Sequence, residues 1–134
     1  LILNGPPNPP VTVHLNGENI KYLNPDERST AALIRNGLIK FKKEQRSMET
    51  SPGITMERIG LDEVLKKLSN PVLLSEKGED TMNNAKTFVL GDDKDPTNEE
   101  MEILKNLPNI GLGKESLLSS ACVTLIHHRL DLSK

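Results

Sequence analysis

Aromatic residues are almost missing from this 134-residue chain: Tyr22, Phe41 and Phe88 are all it has, and there is no Trp. A core must then be made of Leu, Ile and Val, which suits one domain of this length and rules out two full ones. Cysteine is reduced to Cys122. A lone thiol excludes an internal disulfide, and the sequence holds no Cys and His cluster at metal-ligand spacing; the expectation is a reducing, cytoplasmic setting and no bound metal. No apolar run reaches the roughly 20 residues that span a bilayer, and no signal-peptide pattern opens the chain, so no membrane partner is expected. An excess of positive charge is lacking too. Lys and Arg number 17 against 19 Asp and Glu, a net charge of −2, which excludes a global basic field but leaves room for a local patch. Phosphate-cradling motifs are absent as well: there is no GxxxxGK[ST], and Gly111-Leu112-Gly113-Lys114-Glu115-Ser116 lacks the third glycine of a dinucleotide fingerprint. A cofactor bound there should not depend on a pyrophosphate.

What is present reads as alternating short strands and helices. The chain opens on Leu1-Ile2-Leu3, with no Met, an apolar strand cut off on its N-terminal side, so a domain spanning 1–134 and truncated at its N-terminus is expected. Four prolines in Pro6-Pro7-Asn8-Pro9-Pro10 remove backbone donors and force an extended loop. Val11 to Leu15 is β-branched enough for a strand, and Asn16-Gly17 predicts a hairpin that returns along Asn19 to Leu23. Asn24 as cap and Pro25 at the first turn predict a helix running to about Lys43, with Ala31, Leu33, Ile34, Leu38 and Phe41 on its apolar face. Ser47 to Thr55, with Ser51-Pro52-Gly53, is expected to be loop. A second helix opens at Gly60-Leu61-Asp62 and stops at Asn70-Pro71. Val72-Leu73-Leu74 and Thr87-Phe88-Val89-Leu90 read as buried strands, separated by a polar loop over Ser75 to Asp80. Thr97 and Glu100 stand at capping-box spacing ahead of a helix to Asn106. Asn109 to Gly113 is a short strand and glycine turn, and Ser116 to Leu132 a final helix.

Fully apolar strands alternating with helices predict an α/β fold, a mostly parallel sheet with helices on both faces. Three loops then fall at the C-terminal ends of successive strands, after Leu74, Leu90 and Ile110, on the edge where open parallel sheets bind ligands. Gly91, Gly111 and Gly113 either satisfy tight turns or let a ligand approach the backbone, and both readings stand at this level. Asp92 and Asp93 fit loop capping better than a metal or base pair. His127 and His128 sit about 100° apart on a helix and should not face one site, one being packed and the other exposed; His14 should lie on a solvated sheet face. Lys40, Lys42, Lys43 and Arg46 either balance a helix dipole or contact phosphates.

Several blocks in order resemble a known family. Phe88-Val89-Leu90-Gly91-Asp92, then Ile110-Gly111-Leu112-Gly113, then the helix through Cys122-Val123-Thr124-Leu125-Ile126-His127-His128-Arg129-Leu130-Asp131 are similar to the SPOUT methyltransferases. Within them, Gly5-Pro6-Pro7-Asn8-Pro9-Pro10 and Leu23-Asn24-Pro25-Asp26-Glu27-Arg28-Ser29-Thr30 resemble the archaeal tRNA pseudouridine-54 N1-methyltransferases. That resemblance implies a C-terminal trefoil knot, S-adenosylmethionine as cofactor, tRNA as partner and a homodimer. It implies that Leu74, Gly91, Ile110, Gly111, Leu112, Gly113, Lys114, Glu115 and Cys122 hold the cofactor. It also implies that Arg28, with Asn24 and Asp26, shapes the RNA-facing side, to which the charge of Lys40, Lys42, Lys43 and Arg46 would add phosphate contacts. No catalytic base is assigned, because the family's opening strand, helix and Arg- and Asp-containing stretch would precede Leu1. An rRNA pseudouridine methyltransferase and a non-catalytic RNA-binding or assembly protein with the same fold are the alternatives.

Overall fold

The computed structural model describes residues 1–79, 84–92, 94–113 and 117–133. They divide into two compact units, Leu1–Val64 and Leu65–Lys134. In the first unit, β1 (Ile2–Leu3), β2 (Val11–Leu15), β4 (Ile54–Glu57) and β3 (Ser47–Ser51) form an antiparallel sheet in the order β1-β2-β4-β3. In the second, β6 (Thr87–Val89), β5 (Pro71–Glu79) and β7 (Asn109–Ile110) form a parallel sheet with β5 in the centre. Parallel pairing is therefore confined to three of the seven described strands. The expectation of one mostly parallel sheet is replaced by two sheets of opposite kind.

The antiparallel sheet corrects two local expectations. The return strand foreseen over Asn19 to Leu23 does not form. The Asn16 carbonyl instead accepts from the amides of Asn19 (3.1 Å) and Ile20 (2.9 Å), closing a turn. Both edges of β2 are already taken, by β1 and by β4, the latter through Thr12↔Glu57 to Leu15↔Ile54. The hairpin lies further on, where a loop was expected: β3 and β4 are joined through Pro52-Gly53, with Gly53 at φ 79°. Any Cβ there would run into the Ile20 backbone, so glycine is required twice over. The alternation of Ile54 and Met56, both fully buried, was the missed signal.

Helix α1 (Glu27–Lys40) packs on β3 and β4. Its cap is Asp26 rather than Asn24, the Asp26 carboxylate accepting from the Ser29 amide at 2.7 Å. It also ends three residues early. Phe41 turns to extended backbone (ψ 97°) and enters the core with Val11, Val13, Ile54 and Met56. Burying that ring, an aromatic in a chain with few, outweighs one more helical turn of lysines. Gly37 allows the helix to approach the sheet: a Cβ there would stand 2.5 Å from Met56 Cε and 2.8 Å from Thr50 Oγ1. Thr50 is the extra residue of a bulge in β3, which turns its side chain inward.

In the second unit α2 (Leu61–Lys67), which begins in the first, precedes β5, α3 (Asn98–Leu104) precedes β7, and α4 (Ser119–Leu132) closes the chain. The capping box of α3 forms as its spacing predicts, Thr97 Oγ1 accepting from the Glu100 amide and Glu100 reaching back to the Thr97 amide. The core here is small: Val72, Ala85 and Ile110, with Leu74 and Phe88 packed against them. His14 is exposed on its sheet face as expected, but His127 and His128 are both exposed, since Ile126 is the residue that α4 buries.

Candidate cofactor cleft and basic surface

The three strand ends of the parallel sheet do converge. Leu74, Leu90, Gly91, Ile110, Leu112, Gly113 and Cys122 line one open cleft of about 200 Å³, together with Ser75, Glu76, Asp92, Leu117 and Ser119. That volume receives one ring-sized moiety and leaves the remainder of a larger ligand at the mouth, since pockets for whole drug-sized ligands run to about 300–1,000 Å³. Aliphatic side chains share the walls with polar groups, among them two carboxylates, Glu76 and Asp92. None of the described lining residues is Lys or Arg. The described lining combines aliphatic side chains with two carboxylates, which suits a ligand with an apolar ring and a cationic group.

The sequence reading missed Ser75 and Glu76 because it ended the strand at Leu74. In the fold, β5 pairs with Ile110 twice, at Leu74 and again at Glu79, and the residues between bulge out. Ser75 and Glu76 ride on that bulge into the cleft, and the Ser75 hydroxyl accepts from the Lys77 amide at 3.3 Å. Up to Glu79, the run expected to be a polar loop is thus the end of a strand, bulged into the cleft.

The glycines part company. Gly91 is exposed, with open space where a Cβ would project, and its carbonyl accepts from Ser119 Oγ at 3.2 Å, tying the start of α4 to the end of β6. Gly113 takes φ 133° and lines the cleft. Gly111 does neither: it is buried, its amide is given to the Glu79 carbonyl at 2.9 Å, and a Cβ would collide with the Gly78 carbonyl. It is glycine because two backbones cross there, and its N–H is committed inside the sheet. Asp92 caps its loop as expected, accepting from the Lys94 amide at 2.9 Å. Cys122 is half-buried with a free thiol. Lys114, Glu115 and Asp93 lie outside the described residues.

In the first unit the basic residues are exposed: Arg28 in the first turn of α1, Lys40 at its end, and Lys42, Lys43 and Arg46 in the following turn. Lys40 Nζ reaches the Thr50 carbonyl (3.2 Å) and Lys42 Nζ the Ile39 carbonyl (3.2 Å). No helix of the described residues is long and apolar enough to cross a membrane, and no group of three or more metal-ligating side chains occurs among them.

Comparison with known proteins gives a consistent result. The profile of a family described as "Putative SAM-dependent RNA methyltransferase" matches residues 1–134. The chain is 35 % identical to the tRNA (pseudouridine(54)-N(1))-methyltransferase of Methanocella arvoryzae over 97 % of its own length and 71 % of that protein. It is 38 % identical to the protein of the same name from Methanocorpusculum labreanum, over 90 % of this chain and 63 % of the relative. The corresponding protein of Haloferax volcanii is 36 % identical over 90 % of this chain and 66 % of its own length. The chain thus spans about two thirds of these relatives.

Proposed function

The chain belongs to the SAM-dependent RNA methyltransferase family, and from that premise we propose that it methylates N1 of pseudouridine 54 in tRNA. The observation that carries this reading is the cleft at the C-terminal ends of β5, β6 and β7, lined by aliphatic side chains and by the carboxylates of Glu76 and Asp92. S-adenosylmethionine fits such a donor set better than a nucleotide phosphate would. Leu74, Leu90 and Leu112, backed by Ile110 in the core, offer aliphatic contact to a purine ring, while Glu76 and Asp92 favour a sulfonium and an ammonium. Exposed Gly91 and Gly113 let the ligand lie against main chain that a Cβ would otherwise screen.

When bound, S-adenosylmethionine supplies an electrophilic methyl group for the ring nitrogen that pseudouridine exposes because it joins its sugar through carbon. The contribution of the chain is alignment: rigid strand ends hold the donor so that the attacking nitrogen stands behind the methyl, and the N1 proton passes to a base or to water. Asp92, fixed by the Lys94 amide, keeps the loop after β6 in one shape during that approach.

The same reading includes a single SPOUT domain with a C-terminal trefoil knot, a homodimer and a cytoplasmic setting. The Ser119–Gly91 tie, which returns the last helix to the end of β6, supports the knot. Leu118 and Leu132, exposed on one side of α4 at its two ends, support a second copy packed there. Arg28, Lys40, Lys42, Lys43 and Arg46 would meet the tRNA phosphates, a local field acting within about 8–10 Å regardless of the net charge.

Calorimetric titration with S-adenosylmethionine, followed by methyl transfer to a tRNA carrying pseudouridine 54 and to an rRNA fragment carrying pseudouridine, tests the proposal. Binding and methylation of the tRNA alone are expected. Transfer to the rRNA alone would move the substrate assignment, and absence of cofactor binding would leave a non-catalytic RNA-binding protein.

A further inference from the structure

Arg58, just past β4, is absorbed neither by the cleft nor by the sheet core, yet each of its three guanidinium nitrogens donates a hydrogen bond. Nη1 donates to the Asn8 carbonyl (3.0 Å), Nη2 to the Lys42 carbonyl (2.8 Å) and Nε to the Lys43 carbonyl (3.1 Å). The planar group lies over the Phe41 ring at 4.5 Å, and the Arg58 amide donates to the Arg46 carbonyl at 2.9 Å. One residue therefore grips the main chain of Lys42, Lys43 and Arg46, and pins the proline-rich loop beside them through Asn8. Between Lys40 and Arg46 there are four cations and one acid, Glu44, in a chain of net charge −2. The side chains of Lys42, Lys43 and Arg46 are exposed, while Arg58 is half-buried.

We propose that Arg58 is a positioning residue for RNA: its rigid fork holds the carbonyls of Asn8, Lys42 and Lys43 and so sets Lys42 and Lys43, beside the Arg46 that its main-chain amide holds, into one array that meets a polynucleotide phosphate backbone. The inference rests on the RNA-methyltransferase reading above. Arginine is needed because a lysine ammonium cannot span three carbonyls at once and stack flat on a ring. The ring beneath it is Phe41, whose turn into the core ends α1 and starts the basic turn. Fixing the array in advance spares tRNA the cost of ordering long side chains and their backbone on binding.

The test compares tRNA binding over about 50–200 mM salt for the wild type, Arg58→Lys, Lys42→Gln/Lys43→Gln and the triple variant, with S-adenosylmethionine affinity measured on each. Loss of two phosphate contacts should flatten the slope of log K against log salt by about 1.5 and weaken binding about tenfold. Arg58→Lys keeps the charge, so a similar flattening there, with little added loss in the triple variant and an unchanged cofactor affinity, is the expected result. Wild-type affinity and slope in Arg58→Lys, with Lys42→Gln/Lys43→Gln impaired, would make Arg58 a purely structural residue. If Lys42→Gln/Lys43→Gln also bound tRNA normally, the RNA reading of this surface would itself fall. Should Arg58→Lys not fold, Phe41→Leu removes the ring and leaves the three carbonyls in place. The same pattern in smaller degree is expected of it, and unaltered tRNA binding would overturn the proposal.

Discussion

The two units of this chain fill space in opposite ways. The antiparallel unit closes Val11, Val13, Phe41, Ile54 and Met56 into a core with five further apolar side chains packed around it. Among its described residues the parallel unit gathers Val72, Ala85 and Ile110 into a cluster, buries Leu104 and Ile126 outside it, and leaves Leu74, Leu90 and Leu112 half-covered at the strand ends. The difference separates stability from binding. Apolar surface withheld from the core of the second unit is surface that a ligand can cover, whereas the first unit presents charge on the outside of a packed scaffold.

Ile54→Ala should show the largest effect, because Ile54 is completely buried. A loss of about 2–5 kcal/mol in urea unfolding is expected, and a loss under about 1 kcal/mol would mean that the antiparallel core collapses around the gap and is less tightly packed than described. Next comes Gly91→Val. Its Cβ meets open space and Gly91 is exposed, so folding should change by no more than about 0.5 kcal/mol. S-adenosylmethionine binding should weaken at least about tenfold, roughly 1.4 kcal/mol, because the side chain would occupy the ligand's place. Full affinity in the folded variant would remove Gly91 from the site.

Thr97→Ala breaks one half of the capping box and should cost about 1 kcal/mol, read as a drop in melting temperature that Thr97→Ser largely restores. The smallest effect sharpens the comparison from the other side. Thr50 Oγ1 is buried beneath Gly37 with no hydrogen-bond partner among the described residues. Thr50→Val keeps the shape and removes the unpaired hydroxyl, so stability should stay level or rise by about 1 kcal/mol. A clear loss would show that the hydroxyl has a partner, such as a buried water.

Features decided within a few residues were legible in the sequence. The Thr97–Glu100 box forms, the proline run is a loop, and Val11 to Leu15 is a strand with His14 facing out. The order of the strand-end blocks, from Phe88–Asp92 to Ile110–Gly113 to the last helix, carried the family and most of the cleft. Features set by pairing at a distance were not. Asn16-Gly17 has the composition of a hairpin, but a turn signal does not say which edge of β2 is free. Ser75 to Glu79 looked like a polar loop because hydropathy cannot register a bulged strand whose side chains line a cleft.

Local chemistry alone therefore determined where this chain turns, where α3 is capped and which three strand ends carry small residues, since backbone sterics and short-range hydrogen bonds act over one turn or less. Tertiary structure alone decided what each of those features does. Gly91 and Gly111 are the same residue in similar strand-end settings. One stands open beside the cleft and the other is locked against Gly78, because a second backbone passes only the latter. Arg58 shows the same dependence: nothing near it in sequence marks it out, and its role follows from Asn8, Phe41, Lys42 and Lys43 meeting around one planar cation, an encounter between distant segments that only the folded chain brings about.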